Sequence, residues 1–394
     1  AAEAVDCVVI GAGLSGLYAA AQLRSRRPQA SVLVLEARRR AGGRCHTRAL
    51  PVLGGAVAVD VGPAWFWPGQ SAVEALAQAL GVGVFEQHCE GRAVAHSRQG
   101  VQLVREGMPR SFRVPGGAAR LVEGLLEQVG AERVLLGRAA TRVFPTGVEY
   151  LDRGTGEAGA VRCRCVVLAA PPRVVCEAIA FEPPLPPRIA SGLRGVGTWM
   201  ATSAKFFAVY SEPFWRQAGL SGEGFSGDGP LGEVHDAGQE GGAHGVLFGF
   251  FRLGPSERRR VGPEGLRERC LAQLAAMFGD RADSPLTTHL EDWSCEGPSG
   301  DDEQGRWTCT QEDVRRELRG HPRYSTFPAL LLPADSGEVA VLGDGDSAAA
   351  VGEGRASLLV FAGSEACGGG SGGFMEGALQ AGQAAAAAVD RALG

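Results

Sequence analysis

Val5-Asp6-Cys7-Val8-Val9-Ile10-Gly11-Ala12-Gly13-Leu14-Ser15-Gly16 is the stretch that decides the fold. Val5 to Ile10 is an apolar run of strand length. A Gly-x-Gly-x-x-Gly turn follows, then a helical stretch to about Arg24. Ser31 to Glu36 reads as a second strand ending in an acid. The order strand, glycine turn, helix, strand, acid is that of a dinucleotide-binding unit. Gly11 permits the tight turn, Gly13 lets backbone approach a pyrophosphate, and Gly16 allows close helix–strand packing. The helix N-terminus, with Leu14 and Ser15, offers free N–H groups and positive potential to phosphate. Glu36 suits ribose hydroxyls and repels a 2′-phosphate, which disfavours NADP and leaves FAD and NAD.

Beyond the acid, Ala37 and Arg38 continue toward Arg40-Ala41-Gly42-Gly43-Arg44, a glycine pair between arginines that can wrap a second loop around phosphate or ribityl oxygens. Val114-Pro115-Gly116-Gly117 precedes a helix over 118–129, whose Leu121, Leu125 and Val129 form a core-facing stripe. Short strands are expected over 133–137 and 142–150, and an apolar strand over 165–170, stopped by Pro171-Pro172. The Pro-rich 181–187 segment is read as a crossing between domains. Alternating apolar positions surround Lys205, ahead of Phe214-Trp215. Residues 219–245 show little periodicity, 246–251 read as a strand and 263–278 as an amphipathic helix. The 295–306 segment is read as a polar loop, with a helix near 311–319 and strands near 329 and 339. Leu358 to Phe361 is a buried strand that ends in Ala362-Gly363-Ser364-Glu365. The glycine-rich 368–373 loop and Phe374-Met375-Glu376-Gly377 then open an Ala-rich helix. This second strand–loop–helix start builds another site for negative charge.

Composition narrows the class. Hydrophobic residues at 45% and charged residues at 21% over 394 positions allow two or three domains with a large core. A net charge of −5 argues against a general nucleic-acid surface. No apolar run reaches the roughly 20 residues that span a bilayer. A soluble, intracellular protein without a membrane anchor is therefore expected. Ten Cys at irregular spacing, with no Cys-x-x-Cys and no zinc-like His/Cys cluster, suggest reduced thiols and no metal. The chain has no Asn and a single Lys, Lys205, with arginine at every other basic position.

Together these segments resemble the flavin-containing amine oxidase family, which includes monoamine and polyamine oxidases. The matches are Gly11 to Gly16, Leu35-Glu36-Ala37, Gly42-Gly43-Arg44, Pro183-Pro184-Leu185-Pro186, the Lys205 region through Phe214-Trp215, Phe361 to Glu365, and Gly373 to Ala378. They fall in family order across most of the chain. Asp60-Val61-Gly62-Pro63-Ala64-Trp65-Phe66 looks like the soluble, bacterial-type members. The resemblance implies an α/β (α+β, two-domain) fold. Its Rossmann-like FAD-binding domain would be built from discontinuous segments 1–68, 115–190 and 340–394. A smaller mixed-sheet and helix substrate domain would come from 69–114 and 191–339.

The resemblance also implies FAD, held without a covalent bond, and oxidation of an amine C–N bond by hydride loss to flavin N5. The imine hydrolyses, and O2 becomes hydrogen peroxide. Carried over by residue, Gly11, Gly13 and Gly16 match the pyrophosphate turn, Glu36 the ribose acid and Arg44 the arginine near the pyrophosphate. Gly62, Pro63, Ala64 and Trp65 match the stretch passing the flavin, and Ala140 is expected at the cofactor as well. Gly363, Ser364 and Glu365 match the second FAD motif, Gly373 the loop before the helix, and Met375 the N–H near the flavin carbonyl. Lys205 matches the lysine that holds a water near N5, where an ammonium can stabilise developing charge. Trp293 resembles the tryptophan near the flavin ring. Phe374 stands where many members carry an aromatic-cage Tyr; Trp307 and Tyr324 are candidates for the second wall.

No acid–base pair is nominated, and His235, Asp236 and His321 are read as structural. Cys309 lies near the region of covalent attachment in some members, at a different spacing. About 45 residues separate the first FAD segment from Val114, fewer than in animal monoamine oxidases, so a reduced substrate domain and a more open pocket are expected. The competing readings are an L-amino-acid oxidase, a flavin desaturase or isomerase of the same fold, and a catalytically silent flavin-binding scaffold. The sequence names neither the amine nor the oligomeric state.

Overall fold

Five parallel strands lie side by side in the order Val134–Leu136, Val32–Glu36, Ala4–Ile10, Ala158–Leu168 and Ala356–Phe361. The computed structural model describes residues 4–105, 107–294, 309–315, 324, 327–333, 339–341 and 356–394. Trp307, His321 and the 295–306 segment lie outside these residues. Val8, Val9, Val34, Val166 and Leu359 have almost no exposure, as expected of strands covered on both faces. Helices Leu14–Arg26, Ala119–Val129 and Met375–Leu393 contribute to the core on one face, where Leu17, Leu121, Leu125, Leu379 and Val389 are fully buried. The first and last helices cross closely at Gly382, where a Cβ would lie 2.5 Å from Ser15 O.

The first half of Ala158–Leu168 turns to a different partner. It pairs antiparallel with Gly147–Asp152, which pairs with Arg138–Phe144. The strand expected from 165 therefore begins at Ala158, and the single strand expected over 142–150 is a hairpin turning at Pro145-Thr146. The α/β class is as the sequence indicates.

A second, seven-stranded sheet runs Thr287–Asp292, Ala204–Tyr210, Gly245–Phe251, Leu231–Asp236, Leu220–Ser226, Arg92–Ser97, Gly100–Val104. Helix Pro263–Phe278 covers one face through Cys270, Leu274 and Met277. The other face carries Phe207, Val209 and Phe248 against Val57, Val59 and Val61. Two of these strands come from 219–245, where the sequence shows no alternation. In Leu220–Ser226 the reason is Gly222 and Gly224: a Cβ would lie 2.6 Å from Trp215 Nε1 and 2.1 Å from Met277 Cε. The side chains that fill these two places belong to Trp215 and Met277.

None of the described cysteines forms a disulfide. Among the described residues no helix is long and apolar enough to cross a membrane, and no three His, Cys, Asp or Glu side chains gather as for a metal ion.

Candidate active site

The glycine turn is built as its spacing predicts. Gly11 has φ +108°, and a Cβ there would meet Ala169 O at 2.9 Å. At Gly16 a Cβ would lie 2.0 Å from Gly11 O, so the helix packs on the turn itself. Gly13 differs: the nearest atom to its Cβ position, Gly42 O, is 4.0 Å away, and the residue faces a cavity. Helix Leu14–Arg26 has no side-chain cap on its N-terminus, so its first N–H groups also face that space. The Glu36 carboxylate is buried beside it. It accepts from Ala12 N at 2.8 Å and Arg38 N at 2.9 Å, which fixes its position and leaves lone pairs for hydroxyl donors.

Arg44 and Glu365, predicted as separate contacts, are one bidentate ion pair. Arg44 donates to Glu365 Oε2 at 2.8 Å and also reaches Oε1, Ser364 Oγ and Trp199 O. Burial opposes ionisation of Glu365, but Arg44 and Ser364 outweigh it and hold the carboxyl below the ordinary value. The pair joins two chain segments at the cavity wall. Close approach of Gly62 to Arg44 O, 1.8 Å from a Cβ position, brings the Gly62–Trp65 stretch alongside.

Lys205 sits on Ala204–Tyr210, next to the edge strand of the second sheet, and is 4% exposed. Its Nζ donates to Asp60 O at 3.0 Å and Gly62 O at 2.6 Å, and lies over the rings of Phe248 and Phe250 at 4.7 and 5.1 Å. Burial lowers its pKa most; Asp60 and Glu291 work against this and Arg113 with it, leaving a value of about 7. Trp293 is buried nearby, its Nε1 donating to Val61 O at 3.0 Å. Phe374 precedes the C-terminal helix and meets Trp67 edge-on at 5.8 Å and Trp199 at 6.3 Å.

One cavity of about 330 Å³ connects these parts. Gly11, Gly13, Leu14, Ser15, Glu36, Ala37, Arg38, Gly43 and Arg44 line it, with Gly62, Pro63, Ala64, Trp65 and Ala140. So do Lys205, Trp293, Ser364, Gly373, Phe374 and Met375. Gly16, Gly363 and Glu365 do not; Gly16 and Gly363 pack on backbone, and Glu365 lies under Arg44. Tyr324 donates to Gly197 O at 2.9 Å and is not in the wall, nor is Cys309. His235 and Asp236 lie outside the wall as well. Asp236 binds Trp215 and Arg216, and the His235 ring packs edge-on against Trp65 at 4.9 Å. The wall residues the sequence reading missed are chiefly Trp67, Trp199, Met200, Ser203 and Phe250. Trp67 stands two residues from the marked Trp65 and Phe250 lies in the strand read over 246–251, but no spacing rule announces either as a wall residue.

The NAD(P)-binding Rossmann-like domain model matches residues 9–80. The flavin containing amine oxidoreductase model matches residues 97–300, just over half of the chain. AofH of Mycobacterium tuberculosis, provisionally named a flavin-containing monoamine oxidase, is 27% identical over 77% of this chain and 87% of its own length. Putrescine oxidase of Kocuria rosea is 25% identical over 81% and 86%. The structure of wild-type putrescine oxidase bound to putrescine superposes with a TM-score of 0.73, at 22% identity and 99% coverage of both chains, and shares the fold. The chain belongs to the flavin-containing amine oxidoreductase family, and FAD is its cofactor.

Proposed function

We propose that this enzyme oxidises the C–N bond of a small primary or secondary amine that carries an apolar body. The observation that supports this best is the single cavity that runs from the glycine turn to Lys205 and the aromatic wall. FAD fits the first half. The open Gly13 cradle and the uncapped helix start suit a pyrophosphate, and the braced Glu36 carboxylate suits a ribose. When bound, FAD supplies the acceptor for a hydride lost from the carbon next to nitrogen, and O2 takes the electrons as hydrogen peroxide.

The remaining roles belong to this chain. Trp65, Trp67, Trp199, Phe250 and Phe374 make an apolar wall that orients the amine and disfavours its charged form. Hydride loss requires the nitrogen lone pair, so exclusion of water and preference for the neutral amine work together. Lys205 holds its Nζ at the end of this wall on two carbonyls, with a pKa near 7. It can present a proton or a positive charge to reduced oxygen without an acid–base pair. Water then hydrolyses the imine to a carbonyl compound and ammonia or a smaller amine.

One observation favours a second reading, a substrate with two amino groups. In register across the second sheet, Lys205 pairs with Phe250 and Phe250 with Glu233. The half-exposed Glu233 carboxylate thus lies on the Lys205 face, two strand spacings or roughly 10 Å away. Such an anion suits a distal ammonium.

Anaerobic bleaching of the flavin tests both. An alkylamine and a benzylamine should bleach faster than a diamine, with stoichiometric peroxide once air is readmitted. Faster bleaching by a diamine, lost in Glu233→Gln, supports the second reading. No bleaching by any amine, with the bound flavin still reducible by dithionite, removes both.

A further inference from the structure

Among the described residues Met200 is the one non-glycine with positive φ, at 59°. A side chain held there is strained by about 1 kcal/mol or more, and persists where the surroundings dictate the backbone. Here three ion pairs with buried carboxylates dictate it. Asp313, paired with Arg173, accepts from Thr198 N at 3.0 Å. Glu365, paired with Arg44, accepts from Trp199 N at 3.2 Å, and Arg44 donates back to Trp199 O. Arg258, paired with Asp292, donates to Thr202 O at 2.8 Å. Trp293 N closes the loop on Ser203 O at 3.0 Å. Four residues of the 198–203 loop are thus pinned, and Met200 is left projecting. It is 36% exposed, lines the cavity beside Trp199, and accepts a contact from Ser203 Oγ at 3.3 Å on its sulfur.

A surface loop needs neither three ion pairs nor a strained residue to close a turn. Glycine would relieve the strain at Met200 without disturbing the bonds from the three ion pairs, which lie on neighbouring residues. We propose that Met200 is a specificity-determining residue: its thioether, carried at the rim by a fixed backbone, packs on the apolar tail of the amine and sets the tail length that is accepted. A thioether is apolar and polarisable, and suits alkyl chains and ring edges. The proposal rests on the amine-oxidase reading of the same cavity.

The test compares holoenzyme carrying Met200→Gly, Met200→Leu or the native residue on unbranched primary amines from ethylamine to octylamine. The ratio of kcat/KM for octylamine to that for ethylamine should fall about tenfold in Met200→Gly, chiefly through KM. It should stay within about twofold of native in Met200→Leu, which keeps the apolar volume. An unchanged ratio in Met200→Gly overturns the proposal, as does a loss that falls equally on all amines. Quenching of tryptophan fluorescence gives the same ratio as dissociation constants, since Trp67 and Trp199 line the cavity. That readout needs no turnover. An enzyme that binds amines with the native length preference but oxidises none refutes the function and not the role of Met200; a preference that survives Met200→Gly in binding refutes the role alone.

Discussion

Lys205 is almost wholly buried, and its Nζ rests on the carbonyls of Asp60 and Gly62. Its folded pKa of about 7 lies below the ordinary 10.5. Between these values the unfolded chain binds the extra proton, so this group makes stability rise with pH across the window, and its penalty is full at pH 7 and below. Lys205→Met lifts that penalty. The denaturant midpoint of its apoprotein should exceed the native one most at pH 7 and converge toward it by pH 10.5; a gap that widens with pH refutes the burial argument. The same substitution should slow peroxide formation by roughly 100-fold. In the native enzyme the Lys205-dependent part of the rate should fall as pH rises through about 7, where the ammonium is lost, and the variant's rate should show no such step. Lys205 was legible because it is the one lysine in an arginine-rich chain. Met200 was not, since strain at a residue is set by bonds to its neighbours from Asp313 and Glu365, more than 100 positions away.

The strand–turn–helix unit at the N-terminus separates packing from binding glycine by glycine. Gly16→Ala places a methyl group on Gly11 O and should cost roughly 1–3 kcal/mol in denaturant unfolding of the apoprotein. Gly13→Ala meets nothing closer than 4.0 Å and should change stability by less than about 1 kcal/mol. Its methyl group enters the cradle, however, and should weaken FAD about tenfold or more. Equal losses of stability in the two variants would show that Gly13 is a packing residue. Helix Ser71–Ala79 shows the opposite dependence on distant sequence. No side chain of its own caps it; Glu376 of the last helix accepts from Ala72 N at 3.0 Å and Val73 N at 3.1 Å. Glu376→Gln should therefore cost about 1 kcal/mol in global unfolding. Local motifs such as the glycine turn, or the Leu121–Leu125–Val129 stripe, are readable because their partners lie within a few residues. A cap supplied from 304 positions away leaves no such local trace.

At the level of the fold, the two sheets meet at the cavity, so cofactor binding reports on both. FAD at a hundredfold excess over its Kd should raise the unfolding free energy by about 2.7 kcal/mol, visible as a concentration-dependent Tm. The parallel sheet was legible strand by strand. The second sheet was legible only around Lys205 and at 246–251; Leu220–Ser226 was not, because Gly222 and Gly224 pack against Trp215 and Met277 where apolar side chains would alternate. The parallel layer also draws its last strand, Ala356–Phe361, from far along the chain, and Arg44 waits for Glu365 across 321 positions. On a ribosome that releases the N-terminus first, the phosphate cradle emerges early while one edge of Ala158–Leu168 stays bare. Chains stalled before that strand should hold no flavin and should recruit chaperones through the open edge. Flavin supply to the cell would then govern how many completed chains survive proteolysis, and much less how fast they are made.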